Sequence, residues 1–131
     1  MYILKLGKVK PTLCSYKVIY SNFHNLDLLF LFLEDFGHPS GLEHVSDFLH
    51  DSSKDSLTGN SCTADKTKKN TLRISFSFDN NNDDDDAYLE IEPHALLKII
   101  DLYIKTIKMC PKEIIITFNS SQNDTTVESI Q

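Results

Sequence analysis

Residues 2–6 alternate, with Tyr2, Leu4 and Leu6 on one side and Ile3 and Lys5 on the other. Residues 15–20 repeat the pattern with Tyr16, Val18 and Tyr20 against Lys17 and Ile19. A period of two is that of a strand with one face buried, so both segments are expected to be strands. Pro11 interrupts between them, and a Lys-rich connection suits a hairpin or a wider loop. The run LDLLFLFLEDF that follows is apolar almost all round, which predicts a buried helix. Asn25 is its expected cap, and Asp27 suits the positive helix end. Gly37 fits a left-handed cap at its end, with Pro39 as a stop. A second helix is expected from Ser40 or Gly41 to His50. Its apolar face is Leu42, Val45, Phe48 and Leu49, and Glu43, His44, Asp47 and His50 lie on the other side.

Residues 51–70 are rich in Ser, Thr, Asp and Lys, with one Leu and no aromatic. That composition predicts a long, mobile surface loop. Residues 71–78 show the cleanest alternation: Leu72, Ile74, Phe76 and Phe78 face one way, and Thr71, Arg73, Ser75 and Ser77 the other. A half-buried strand in an antiparallel sheet follows. Residues 88–91 predict its hairpin partner, with the Asp/Asn segment at the tip. Pro93 suits the first position of a third helix that runs to about Met109, where Cys110-Pro111 ends it. Leu96, Leu97, Ile100, Tyr103, Ile104 and Ile107 form its apolar face. Residues 113–119 read as a strand, and three consecutive isoleucines suggest burial on both sides. Residues 125–130 read as an edge-like last strand. The expected order is ββαα, a loop, then ββαββ. The third helix is expected to link two parallel strands by a right-handed crossover. The fold class is α+β, one domain over 1–131, with a mixed, mainly antiparallel sheet and helices on one face.

Length and composition agree with one domain able to bury a core: 131 residues, 40% hydrophobic. Charge narrows the partners. The net charge is −6, from 19 acidic and 13 basic residues, which argues against nucleic acid and favours a cationic partner. The acids are segregated. No Lys or Arg lies between Lys17 and Lys54, or between Arg73 and Lys98. Cys14, Cys62 and Cys110 are odd in number and widely spaced, which predicts reduced thiols in a cytoplasmic protein. The N-terminal run is too short for a secretory signal, and the apolar run at 26–33 falls short of the roughly 20 residues that span a bilayer. No membrane association is expected.

The chemistry-bearing candidates are few. Asp and Asn run unbroken from Asp79 to Asp86. Aligned to a calcium loop from Asp79, they place Asn81, Asp83 and Glu90 at ligand positions, but Asp84 stands where the sharp turn wants Gly. A solvated hairpin tip and an acidic recognition element are the other readings. Glu43, Asp47 and His50, or His44, Asp47 and Asp51, share helical faces, yet neither set repeats a known metal motif. No nucleophile elbow, phosphate loop or dinucleotide fingerprint occurs. No catalytic residue, metal or cofactor is therefore expected. The candidate contact residues are Asp83, Asp84, Asp85 and Asp86 with the neighbouring Tyr88, and Glu43, Asp47 and Asp51.

The segment AYLEIEPHALLKIIDLYIKTIKMCPKEIIITFNS, residues 87–120, resembles the small cytosolic immunity proteins of bacterial polymorphic and contact-dependent toxin systems. Several of these have an acidic chain, a strand ending in Glu, a helix of this kind and an Ile-rich strand. The resemblance implies binding to a cognate toxin domain, often a nuclease, with its active site or substrate groove blocked. An acidic surface can stand in for the phosphate that a basic nuclease cleft binds. No specific binding residue carries over. A general adaptor domain, a calcium-responsive module and an enzyme with an unrecognised site are the other classes.

Overall fold

In the computed structural model, residues 1–77, 88–119 and 124–131 are described. The class is α+β, and the strands form two antiparallel four-stranded sheets where one mixed sheet was expected. The first sheet contains β1 (Tyr2–Lys8), β2 (Tyr16–Ser21), β7 (Glu113–Phe118) and β8 (Thr126–Ile130), in the order β2-β1-β7-β8. The second contains β3 (Ser56–Thr58), β4 (Cys62–Lys66), β5 (Leu72–Phe76) and β6 (Tyr88–Ile91), in chain order. Three helices join them: α1 (Asp27–Phe36), α2 (Pro39–His50) and α3 (Pro93–Ile107).

The expected parallel crossover is not formed. The strands on either side of α3 lie in different sheets, and β7 pairs antiparallel with β1. The physical reason is matching faces. Tyr2, Leu4 and Leu6 stand directly opposite Phe118, Ile116 and Ile114, so both strands turn the same apolar side inward. Ile114 and Ile116 are fully buried, whereas Ile115 between them is half-buried on the opposite face. The three isoleucines therefore do not mark a strand buried on both sides.

Residues 51–70 are also more ordered than their composition predicts. They carry the β3–β4 hairpin, whose inward residues are small: Cys62 and Ala64 are buried, and Leu57 is half-buried. Beyond β4, Thr67 and Thr71 bridge the next turn through their hydroxyls at 2.6 Å, and Asn70 takes φ 62°, a backbone that Asn tolerates.

α1 explains why its sequence is apolar all round. It contacts β2 of one sheet and β4, β5 and β6 of the other. Leu28, Leu29, Phe32, Leu33 and Phe36 are buried, each burial contributing about 1.5–3 kcal/mol. Its start differs from expectation. A 3-10 turn, His24–Leu26, precedes it, and the Asn25 amide donates to the Tyr88 carbonyl across the fold at 2.8 Å rather than serving as the α1 cap. Gly37 has φ −81° and is not left-handed. Its need is space: a β-carbon would lie 2.3 Å from the Leu33 carbonyl and 2.9 Å from the Tyr103 ring. Pro39 opens α2 instead of merely ending α1, and the His38 ring accepts from the Gly41 N–H at 3.0 Å. α3 is capped by Glu92, which accepts from the Ala95 N–H, and packs on β7, β8 and α2.

Cys14 and Cys110 form a disulfide, with Cα atoms 5.4 Å apart and a sequence separation of 96. This corrects the expectation of reduced thiols throughout. The bridge ties the chain ahead of β2 to the turn after α3. Beside it, the Tyr16 hydroxyl donates to the Pro111 carbonyl at 2.6 Å. Cys62 remains a free, buried thiol.

Candidate functional site

α2 places Glu43 and Asp47 one turn apart on its solvent side, because Gly41, Val45 and Phe48 occupy the buried side. Both carboxylates are exposed, and neither makes an ion pair or hydrogen bond among the described residues. His44 is exposed beside them. No Lys or Arg lies anywhere from residue 18 to 53, so neither α1 nor α2 carries a counter-charge of its own.

Asp51, just past the end of α2, is differently placed. Its carboxylate accepts from the Ser53 N–H at 3.0 Å and from the Ser53 hydroxyl at 2.5 Å. These bonds hold its pKa below the usual carboxylate value, with Lys54 and Lys66 adding to the effect. The Lys66 ammonium also donates to the Asp51 carbonyl and sits 4.6 Å from the centroid of the Phe48 ring. Asp51 thus closes a local turn, and its charge is partly matched by neighbours.

Asp83, Asp84, Asp85 and Asp86 lie outside the described residues, as do the calcium-loop positions from Asp79 to Asp86. Tyr88 and Glu90, at the start of β6, are described. Tyr88 is half-buried, and the Arg73 guanidinium stacks on its ring at 3.8 Å from the centroid. Glu90 accepts from the Thr71 hydroxyl at 2.6 Å. Both residues line a cleft of about 420 Å³ with Tyr2, Phe23 and His24. The aromatic rings there touch: Tyr2 and Phe23 are 5.4 Å apart, and Phe23 and His24 are 4.9 Å apart. Arg73 already occupies one face of the Tyr88 ring, so the Tyr2 and Phe23 rings with the Glu90 carboxylate at the rim are what suits a further cationic side chain. Sequence reasoning missed this cleft, since Tyr2, Phe23 and Tyr88 belong to three separate segments.

Glu43 and Asp47 do not lie beside the Tyr88 cleft. α2 meets the second sheet at β3, and Tyr88 stands on β6 at the opposite edge of that sheet. The histidine–carboxylate sets on α2 form no metal-holding group among the described residues. The His50 Nδ1 instead contacts the Ser46 carbonyl within the helix at 2.7 Å. No helix among the described residues is long and apolar enough to cross a membrane.

Compared with protein-family models, with curated proteins and with solved structures, the chain finds no match.

Proposed function

We propose that this protein is a binding protein for a basic partner, and that the partner is a toxin domain that it neutralises. The observation that carries the reading is the pair Glu43 and Asp47. Two exposed carboxylates without an internal counter-charge make a surface that steers a cationic protein and can exchange water for Lys or Arg. The resemblance of residues 87–120 to bacterial immunity proteins supplies the class of partner, a nuclease with a basic cleft. The aromatic cleft at Tyr88 supplies what an acidic surface lacks, a ring-lined anchor next in sequence to Asp83–Asp86. Binding by occlusion needs no cofactor, metal or catalytic group.

The reading places the protein in the cytoplasm. There, Cys14 and Cys110 would face a reducing glutathione pool, whereas a persistent bridge suits an oxidising compartment. Thiol trapping in intact source cells distinguishes the two.

The test is capture of partners from the source cell at low and at high salt. A basic effector whose toxicity is relieved by co-expressing this chain is the expected result. Glu43→Gln with Asp47→Asn should weaken capture several-fold at low salt and less at high salt, because screening already removes the charge contribution there. Capture of a partner that is not toxic would favour a general adaptor domain instead. No partner at either salt would overturn the reading.

A further inference from the structure

The first sheet has two faces, and only one is used by the core. Residues directly opposite each other share a face, so the register assigns the outward set row by row. One row across β2-β1-β7-β8 is Lys17, Gly7, Glu113 and Ile130. The next is Tyr20, Lys5, Ile115 and Glu128. A third brings Ile3, Thr117 and Thr126 together. Ile19, the extra residue of the bulge in β2, covers Gly7, where a β-carbon would lie 2.9 Å from its side chain. This face is open and carries apolar residues among its charges: Ile19 is 46% exposed, Tyr20 49% and Ile130 45%, with Ile3 and Ile115 half-buried between them.

Its charges are polarised. Both lysines, Lys5 and Lys17, lie on the β1–β2 side, and both glutamates, Glu113 and Glu128, on the β7–β8 side. None of the four makes an ion pair among the described residues. We infer that this face is a self-association surface, on which a second copy of the chain packs sheet to sheet.

The charge pattern selects the symmetry. A two-fold axis in the plane of the interface, parallel to the strands and between β1 and β7, lays the β1–β2 side of one copy over the β7–β8 side of the other. Lys5 then faces the row holding the partner's Glu128, and Lys17 the row holding the partner's Glu113. Each lysine is offset from its glutamate by one strand spacing of about 4.8 Å, within reach of a long side chain. Ile115 sits beside the axis in both copies, over the partner's Lys5, whose methylene stem packs on it while its ammonium reaches toward Glu128. An axis perpendicular to the strands would instead stack lysines on lysines and glutamates on glutamates. A face four strands wide is small for a permanent dimer, so association in the micromolar range is expected.

Sedimentation equilibrium of the full chain from about 1 to about 500 µM tests this. A reversible monomer–dimer equilibrium is expected. Ile115→Lys should leave a cooperative melt and remove the dimer. Lys5→Glu and Glu128→Lys should each weaken association by roughly tenfold, and the double swap should restore it, since it re-forms opposite charges across the axis. A monomer over the whole range overturns the inference. So does a dimer that Ile115→Lys or the single charge reversals leave intact, or a double swap that fails to recover.

Discussion

The Asp35 carboxylate accepts a hydrogen bond from the backbone N–H of Cys62 at 3.0 Å, and with the same oxygen one from Ser61 at 2.7 Å. One side chain of α1 thus holds the turn of the β3–β4 hairpin, 27 residues further along the chain. The contact replaces the apolar weight that this hairpin lacks. Asp35→Ala should leave two part-buried donors unmatched and lower stability by about 1–3 kcal/mol in urea unfolding. Asp35→Asn keeps an acceptor oxygen and should cost less. Equal stability of Asp35→Ala and wild type would show that the hairpin is held by other contacts.

The same carboxylate acts on the Cys62 thiol. Burial pushes its pKa up to about 12, and the negative charge of Asp35 adds to the effect. The thiolate is the reactive form, so Cys62 should be inert toward alkylating reagents at neutral pH. The native, oxidised protein should therefore show no fast-reacting thiol, one after denaturation, and three after reduction and denaturation. A fast thiol in the native protein would mean either an open bridge or an accessible Cys62, and peptide mapping would tell which.

Much of the fold was legible in the sequence, and the misses share a cause. Alternation at 2–6, 15–20 and 71–78 marked β1, β2 and β5, but not every face: the bulge in β2 turns Tyr20 outward with Ile19, away from Tyr16, and Phe76 at the end of β5 is exposed rather than on the core side of Leu72 and Ile74. The all-round apolar run of α1 marked a buried helix, but not its place: it packs against two sheets, where a single sheet with helices on one face was expected. β3 and β4 were not legible, because their inward residues are Cys62, Ala64 and Leu57 in a polar stretch, and Asp35 and threonine hydroxyls do the holding. The division into two sheets depends on which edge β7 meets, a long-range choice that local periodicity does not encode. The Cys14–Cys110 pairing is hidden for the same reason. On α2, Glu43 and Asp47 were legible from helical spacing, but the local bonds that occupy Asp51 were not.

Gly41 offers a test of the α1–α2 corner. A β-carbon there would lie 2.3 Å from the Phe36 carbonyl oxygen and 2.6 Å from its carbon, both backbone atoms that cannot swing aside. Gly41→Ala should therefore destabilise the fold, although Ala is ordinarily favoured over Gly within a helix by about 1 kcal/mol. A fall in melting temperature of several degrees is expected. A stabilised variant would show that the corner is looser than these distances.

Alkaline pH should unfold the protein through its buried tyrosines. Burial pushes the Tyr103 pKa up to about 12, with the Glu34 charge and Tyr16 contributing, and burial also raises Tyr16. A tyrosine in the unfolded chain loses its proton near pH 10. Between about pH 10 and 12 the native state then binds more protons than the unfolded state, and stability falls as pH rises. Below pH 10 both states hold the proton, and the contribution is constant. Tyr103→Phe keeps the ring against Gly37 and removes the hydroxyl, so its stability should decline less steeply over that window. Urea unfolding of both proteins at pH 8, 10 and 11 reads the difference. Parallel curves would place the alkaline sensitivity in other groups.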